Sequence, residues 1–288
     1  MARTAQSFGG AWSLLKLELL EHYLTAFNLI LKDKPTPKNP FQRVYIDGFA
    51  GSGTFTFEDD LGYGFFPHDR LVHAGSAARA IAILPPFDQI ILIDQKAANV
   101  AALKELGATD PRVVVERGDA NEVIKRICAS LGRHKRGVIF LDPFGNSVSW
   151  ETLEAIRDTR ALDLWYLFPL AGVFRNLPHD FRQLTPDKRA TLTKILGTDE
   201  WEQEFYSPSK QHPFFGEPLP PDRNASPDKI EAFVRRRLQT VFPHVERPKR
   251  LCIPNGAPLF SLFFAVSNDS RAAITAASNV AKYLLTKR

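Results

Sequence analysis

The apolar residues of this chain follow two rhythms. Over 12–32 they recur every three or four positions, at Leu14, Leu15, Leu19, Leu20, Leu24, Phe27 and Leu31, which predicts an amphipathic N-terminal helix stopped by Pro35 and Pro37. From Val44 onward the rhythm changes to short, largely apolar runs at 44–46, 90–93, 112–116, 137–141 and 162–168. Runs of this kind predict strands of a parallel sheet buried on both faces. Helical stretches at 97–106, 122–130 and 151–157 separate them, and alternation of strand with helix predicts an α/β domain. Two later runs, 250–253 and 259–267, flank a short Pro254-Asn255-Gly256 turn and precede a closing helix at 271–285; they predict an antiparallel hairpin.

Two stretches break the pattern. The segment 55–72, rich in Gly, Phe and Asp, exceeds the roughly 2–6 residues of an ordinary βα loop and reads as an inserted loop. The segment 178–227 turns toward Pro, His, Gln and charge, and reads as an elaboration between core elements with short helices near 188–196 and 200–205. The whole of 1–288 is thus expected to be a single domain carrying these additions.

Composition narrows the class. With 44% hydrophobic and 24% charged residues, the 288-residue chain has the make-up of a globular domain, which argues against disorder. Cys128 and Cys252 have neither the number nor the spacing of a disulfide framework or a zinc site, so no metal is expected. No window reaches the roughly 18 apolar residues of a membrane helix and no signal peptide is visible, so the expectation is no membrane and a cytoplasmic location. The net charge of +5 adds a modest attraction for a polyanion such as RNA or DNA. Arg235, Arg236 and Arg237, with Lys229, Arg247, Lys249 and Arg250, are the candidates for that contact, against a solvated helix as the plainer alternative. Arg175 is a candidate for a substrate phosphate or an ordinary surface arginine, and Lys16, His22 and Tyr23 either reach the cleft from the first helix or form its solvated face.

The chemistry concentrates at strand ends. The first strand runs through VYIDGFAGSGT, in which Asp47 is followed by Gly48, Phe49, Ala50, Gly51 and Gly53. Such a turn is too tight for side chains and lets backbone N–H groups approach a ligand. Thr54 stands where a phosphate-binding P-loop needs Lys, and Thr56 where the dinucleotide fingerprint needs its third glycine. What remains is acid-x-x-x-Gly-x-Gly, with a ligand-free βα turn as its alternative. The second strand ends in Asp94, 41 residues beyond Gly53, where a carboxylate can accept from ribose hydroxyls. The third leads to Asp119 and Ala120, a carboxylate for an exocyclic amine and an N–H for a ring nitrogen, or simply a helix cap. The fourth enters Asp142-Pro143-Phe144-Gly145, an amine acceptor beside an aromatic stacking face, or a strand-ending turn with a core Phe. Asp94, Asp119 and Asp142 follow at intervals of 25 and 23 residues, one βα unit per step, so these strand ends converge on one edge of the sheet.

These motifs resemble those of class I S-adenosylmethionine (SAM) methyltransferases, in which the glycines make room for the methionine part of the cofactor and the leading acid organises the turn. The DPFG form resembles the catalytic motif of amino-group methyltransferases, most closely the tRNA guanine-N2 dimethyltransferases; many members carry a second proline where Phe144 stands. Over nearly its whole length the chain is similar to the three-Cys-motif partner protein (TcmP) family, through YIDGFAGSGTF, Gly75-Ser76, LDPFG and LFFAVSN, with Ala77 where that family often has proline. The resemblance implies a Rossmann-like class I methyltransferase fold: a mostly parallel seven-stranded sheet with a C-terminal antiparallel hairpin and helices on both faces. It implies SAM held by Asp47, Gly48, Phe49, Ala50, Gly51, Gly53, Asp94, Asp119 and Ala120, and catalysis by Asp142, Pro143, Phe144 and Gly145 on an exocyclic amine of a nucleic-acid base. It also implies a separate cysteine-motif partner, which leaves open a catalytically idle SAM-binding adaptor. A nicotinamide oxidoreductase is a third reading, disfavoured by Thr56.

Overall fold

The computed structural model describes residues 11–37, 40–56, 72–208 and 221–287. Helix α1 (Ala11–Leu31) buries Leu19, Leu20, Tyr23, Leu24 and Phe27 and leads to strand β1 (Gln42–Asp47). Next come β2 (Thr54–Thr56) and β3 (Val72–Ala74), paired antiparallel as a separate ribbon. The ends of the expected irregular segment 55–72 are therefore strands, and its body, 57–71, lies outside the described residues. The core then alternates through α2 (Ser76–Ala82), β4 (Gln89–Asp94), α3 (Ala97–Leu106), β5 (Val113–Arg117), α4 (Ala120–Ser130), β6 (Lys135–Leu141), α5 (Trp150–Asp158) and β7 (Leu162–Phe168). Helix α6 (Leu170–Asn176) precedes the elaboration, which contains α7 (Pro186–Leu196), α8 (Trp201–Phe205) and a ribbon of β8 (Tyr206–Ser207) with β9 (Asp222–Arg223); its residues 209–220 lie outside the described set. The chain closes with α9 (Pro227–Val241), β10 (His244–Val245), β11 (Lys249–Cys252), β12 (Pro258–Val266) and α10 (Arg271–Thr286).

The main sheet runs β10-β12-β7-β6-β1-β4-β5, with β11 also on β12. Strands β1, β4, β5, β6 and β7 are parallel, and β12 returns antiparallel to β7. β10 and β11 lie on the same side of β12, one opposite Val266 and Ala265, the other opposite Leu262 to Pro258. They form one broken edge strand, so the sheet has the seven positions expected with its last position split. Pro248, between the two pieces, has no N–H to donate to the ladder.

Side-chain alternation explains the largely apolar runs. Val44, Ile46, Ile139, Leu141, Leu164 and Tyr166 point to the face covered by α4, α5, α6, α7 and α9. Tyr45, Leu92, Val138, Phe140, Trp165 and Leu167 point to the face covered by α1, α2 and α10. Both faces are dry, so both parities are apolar and no period of two survives in the sequence. From β1 the order proceeds to β4 and β5 on one side and to β6 and β7 on the other. The crevice at such a reversal is where open α/β sheets hold ligands.

Candidate functional site

Register sets the loops of the site side by side. Asp47 at the end of β1 stands opposite Leu92 and Phe140, Asp94 opposite Arg117, and Leu141 opposite Tyr166. The strands therefore end together, and the loops after β1, β4 and β6 leave one edge on both sides of the reversal.

The glycine turn is tied to both neighbours. Gly48 N–H donates to Phe140 O at 2.9 Å, Ala50 N–H to Ile93 O at 2.9 Å, and Gly51 N–H to the Asp94 carboxylate at 3.1 Å. The second Asp94 oxygen takes Lys96 N–H at 2.7 Å. Gly53 lies at φ +79°, a conformation that L side chains rarely adopt. Gly75 N–H donates to Gly53 O at 2.9 Å, and a Cβ on Gly75 would stand 2.9 Å from that same oxygen. Backbone thus packs on backbone there, and only glycine fits. Gly75→Ala is expected to push the turn away from α2 and to cost about 1–3 kcal/mol, as overpacking does. Urea denaturation measures it, and a loss below about 0.5 kcal/mol contradicts the tight-approach argument.

Asp47 lies beneath this turn and is fully buried. It accepts from Tyr45 Oη at 3.0 Å, from Phe49 N–H at 3.3 Å and from the Ser76 hydroxyl. Burial pushes its carboxyl up to about 6, and these hydrogen bonds offset only part of that rise. Its role in the fold is to shape the turn from below.

Above the turn opens a cavity of about 400 Å³. It is lined by residues 49–53 and Asp94, by Asp142 to Gly145, and by Trp12 and Lys16 of α1 with Phe260 of β12. Of the residues singled out from sequence, Phe49, Ala50, Gly51, Gly53, Asp94, Asp142, Pro143, Phe144 and Gly145 border this one space. Asp47 and Gly48 support it from beneath. Asp119 and Ala120 are outside its lining: Asp119 caps α4 by accepting from Asn121 N–H at 2.9 Å and Glu122 N–H at 3.4 Å, and Ala120 is buried. Both still follow β5 at the same sheet edge.

Lys16 is the side chain that sequence reasoning most underrated. Set against a solvated helix face as the plainer alternative, it is 8% exposed and its ammonium donates to the Asp142 carboxylate, 126 residues away in sequence. It also stands 5.1 Å from the Trp12 ring centroid. His22 stays on its own helix, with Nδ1 at 2.7 Å from Glu18 O, and Tyr23 donates to Asp163 at 2.6 Å on the far side of the sheet edge. Phe144 is 62% exposed, and Lys96 Nζ stands 5.5 Å from its ring centroid. Lys96 has a local signal, two residues after Asp94. Trp12 and Phe260, whose rings meet at 4.9 Å, have none, because α1 and β12 come together only in the fold.

Arg236 and Arg237 of α9 and Arg250 of β11 are engaged in internal contacts. Arg236 pairs with Glu204 at 2.9 Å, and Arg237 donates to Leu196 O and Gly197 O and lies over Trp150. Arg250 holds Asp228 at 2.7 Å and Glu231 at 2.9 Å. These cations join α9 to α7, α8 and β11, and Arg175 is exposed away from the cavity lining. Among the described residues no cluster of His, Cys, Asp and Glu is arranged to hold a metal ion, and no helix is long and apolar enough to cross a membrane.

The sheet order, the antiparallel return of β12 and the cavity at the β1 reversal define the Rossmann-like class I methyltransferase fold. No family model matches the chain, and no curated protein matches it. Among solved structures it is similar to protein LPL1258 from Legionella pneumophila str. Philadelphia 1, at 15% identity and a TM-score of 0.53, over 96% of this chain and 92% of that one. A SAM-dependent methyltransferase from Anabaena variabilis ATCC 29413 matches at 11% identity and a TM-score of 0.31, over 92% of this chain and 97% of that one. The bifunctional kinase-methyltransferase WbdD matches at 15% identity and a TM-score of 0.35; 72% of this chain covers 38% of that protein.

Proposed function

We propose that this protein is a SAM-dependent methyltransferase that N-methylates an exocyclic amine of a nucleic-acid base. The observation that carries the reading is the convergence of the glycine turn, Asp94 and Asp142 to Gly145 on one cavity at the sheet's reversal point. The residues present suit SAM. The turn offers backbone where a side chain would obstruct, with Gly51 at φ +61° and open space where its Cβ would be. Asp94, already anchored by two N–H groups, presents a carboxylate at the position suited to ribose hydroxyls. The cavity volume lies within the usual range for small-molecule sites. Bound there, SAM supplies an electrophilic methyl group on sulfur.

The chain's own part is to orient the acceptor. Asp142 accepts an N–H of the amine, which turns the nitrogen lone pair toward the methyl group, and the exposed ring of Phe144 stacks on the base for about 1–3 kcal/mol. Trp12 and Phe260, whose rings meet at 4.9 Å, give the same space apolar surface. Isothermal titration with SAM and transfer of labelled methyl to separate RNA, DNA and protein pools test the reading. Absence of SAM binding at millimolar concentration removes it.

A second reading is a SAM-binding subunit that works through a cysteine-motif partner without methylating anything itself. It is favoured by the engagement of Arg236 and Arg237 of α9 and Arg250 of β11 in internal contacts, which leaves less basic surface for a polyanion. It requires SAM binding with no label in any pool, and an unchanged biological output when Asp142 is replaced.

A further inference from the structure

Charge is unevenly distributed over the acceptor side of the cavity. The Asp142 carboxylate holds the Lys16 ammonium, whose side chain is 10% exposed, and Lys96 sets its ammonium over the Phe144 ring. The other acid of the lining, Asp94, already binds the N–H groups of Gly51 and Lys96. Among the described residues two lysines and two acids line the cavity; with Asp94 on the cofactor side in the proposed reading, the acceptor side keeps Lys16 and Lys96 beside the one acid Asp142.

That arrangement discriminates between kinds of amine. A lone carboxylate would draw in alkylammonium ions, which are charged at neutral pH and have no lone pair with which to attack a methyl group. Lys16 offsets the charge of Asp142 through one oxygen. The other oxygen makes no hydrogen bond among the described residues, so it can accept an N–H from a neutral amine. Lys96, exposed at the rim beside the stacking ring, is positioned for an anionic group attached to the same molecule.

We propose that Lys16 and Lys96 set the charge class of the acceptor, turning away ammonium ions and admitting a neutral aromatic amine whose body carries negative charge, as a nucleotide does. The inference rests on reading the cavity as a SAM-dependent N-methyltransferase site and narrows its substrate. Like charges a few ångströms apart at a protein surface change affinity by roughly tenfold or more at low salt, and the effect shrinks as salt rises.

The test is calorimetric titration of the full chain saturated with S-adenosylhomocysteine, using adenosine 5′-monophosphate, adenosine and cadaverine as probes. The wild type is expected to bind the monophosphate at least about tenfold tighter than adenosine and to reject cadaverine. Lys96→Met is expected to remove the preference for the phosphate. Lys16→Met is expected to admit cadaverine at least about tenfold better, while Lys16→Arg keeps the wild-type pattern. Wild-type protein that binds cadaverine as tightly as the monophosphate overturns the inference, as does a folded Lys16→Met protein with unchanged selectivity. Should Lys16→Met not fold, Lys96→Met at its exposed position decides alone. Failure to bind S-adenosylhomocysteine overturns both this inference and the proposed function; binding without discrimination overturns this one only.

Discussion

Replacing Asp142 with alanine is expected to lower methyl transfer at least about 100-fold while leaving SAM affinity within a few-fold of wild type. The expected split follows from the geometry. Asp94 and the glycine turn, which are suited to the cofactor, are anchored to β4 and β6 by backbone hydrogen bonds that do not involve Asp142. In the proposed reading Asp142 serves the acceptor, so its removal leaves the amine free to rotate its lone pair away from the methyl group. The substitution also strands the Lys16 ammonium in a place that is 10% exposed, which by itself lowers stability. Asp142→Asn separates the two effects, because the amide keeps the shape and one acceptor oxygen. Labelled transfer and SAM titration on both variants check the expectation. Equal loss of SAM binding and transfer would falsify the assignment of Asp142 to the acceptor.

Asp163→Asn is expected to stabilise the protein at pH 8 and to leave its stability at pH 4 nearly unchanged. Asp163 sits near the start of β7, at the sheet edge opposite the cavity, with Tyr23 donating to its carboxyl at 2.6 Å. Burial pushes its carboxyl up to about 7, and the Tyr23 hydrogen bond offsets only part of that. The folded protein therefore binds this proton more tightly than the unfolded chain does. Stability from this group is fully present below about pH 4 and is lost as pH rises toward and through 7. A shift from 3.8 to about 7 corresponds to at most about 4 kcal/mol at high pH. Asp163 also borders a second cavity of about 160 Å³. Asparagine keeps an acceptor for Tyr23 and carries no charge at any pH. Asp47, raised to about 6, acts in the same direction over a lower window. Thermal melts from pH 4 to 8 measure both, and a variant whose melting temperature falls with pH as steeply as wild type contradicts the assignment.

The elements legible in the sequence were those whose signal is local. The apolar runs at 44–46, 90–93 and 162–168 became β1, β4 and β7 because a strand buried on both faces needs no partner pattern to declare itself. The glycines at 51 and 53 declared the turn, since positive φ is a property of single residues. Asp142-Pro143-Phe144-Gly145 was legible as a strand end for the same reason. What failed to read was whatever depends on which elements meet. The edge strand split at Pro248, because pairing to β12 tolerates a missing donor at the sheet's margin. Asp119 carries two compatible roles in sequence, and the fold forms the cap while the lining of the cavity leaves that residue out. Arg236 of α9 and Arg250 of β11 look like parts of a polyanion site until Glu204 pairs with the first and Asp228 and Glu231 with the second.

The sequence by itself determined a parallel α/β sheet, a glycine-rich turn after its first strand and acids at the ends of the strands that follow, because each is written in the conformational and burial preferences of neighbouring residues. Only the tertiary structure decided that α1 would close over that edge and bring Lys16 onto Asp142, with Trp12 against Phe260 beside it. Contacts between residues more than a hundred positions apart leave no trace in local pattern; they exist only once the sheet's order has fixed which helix lies over which strand end.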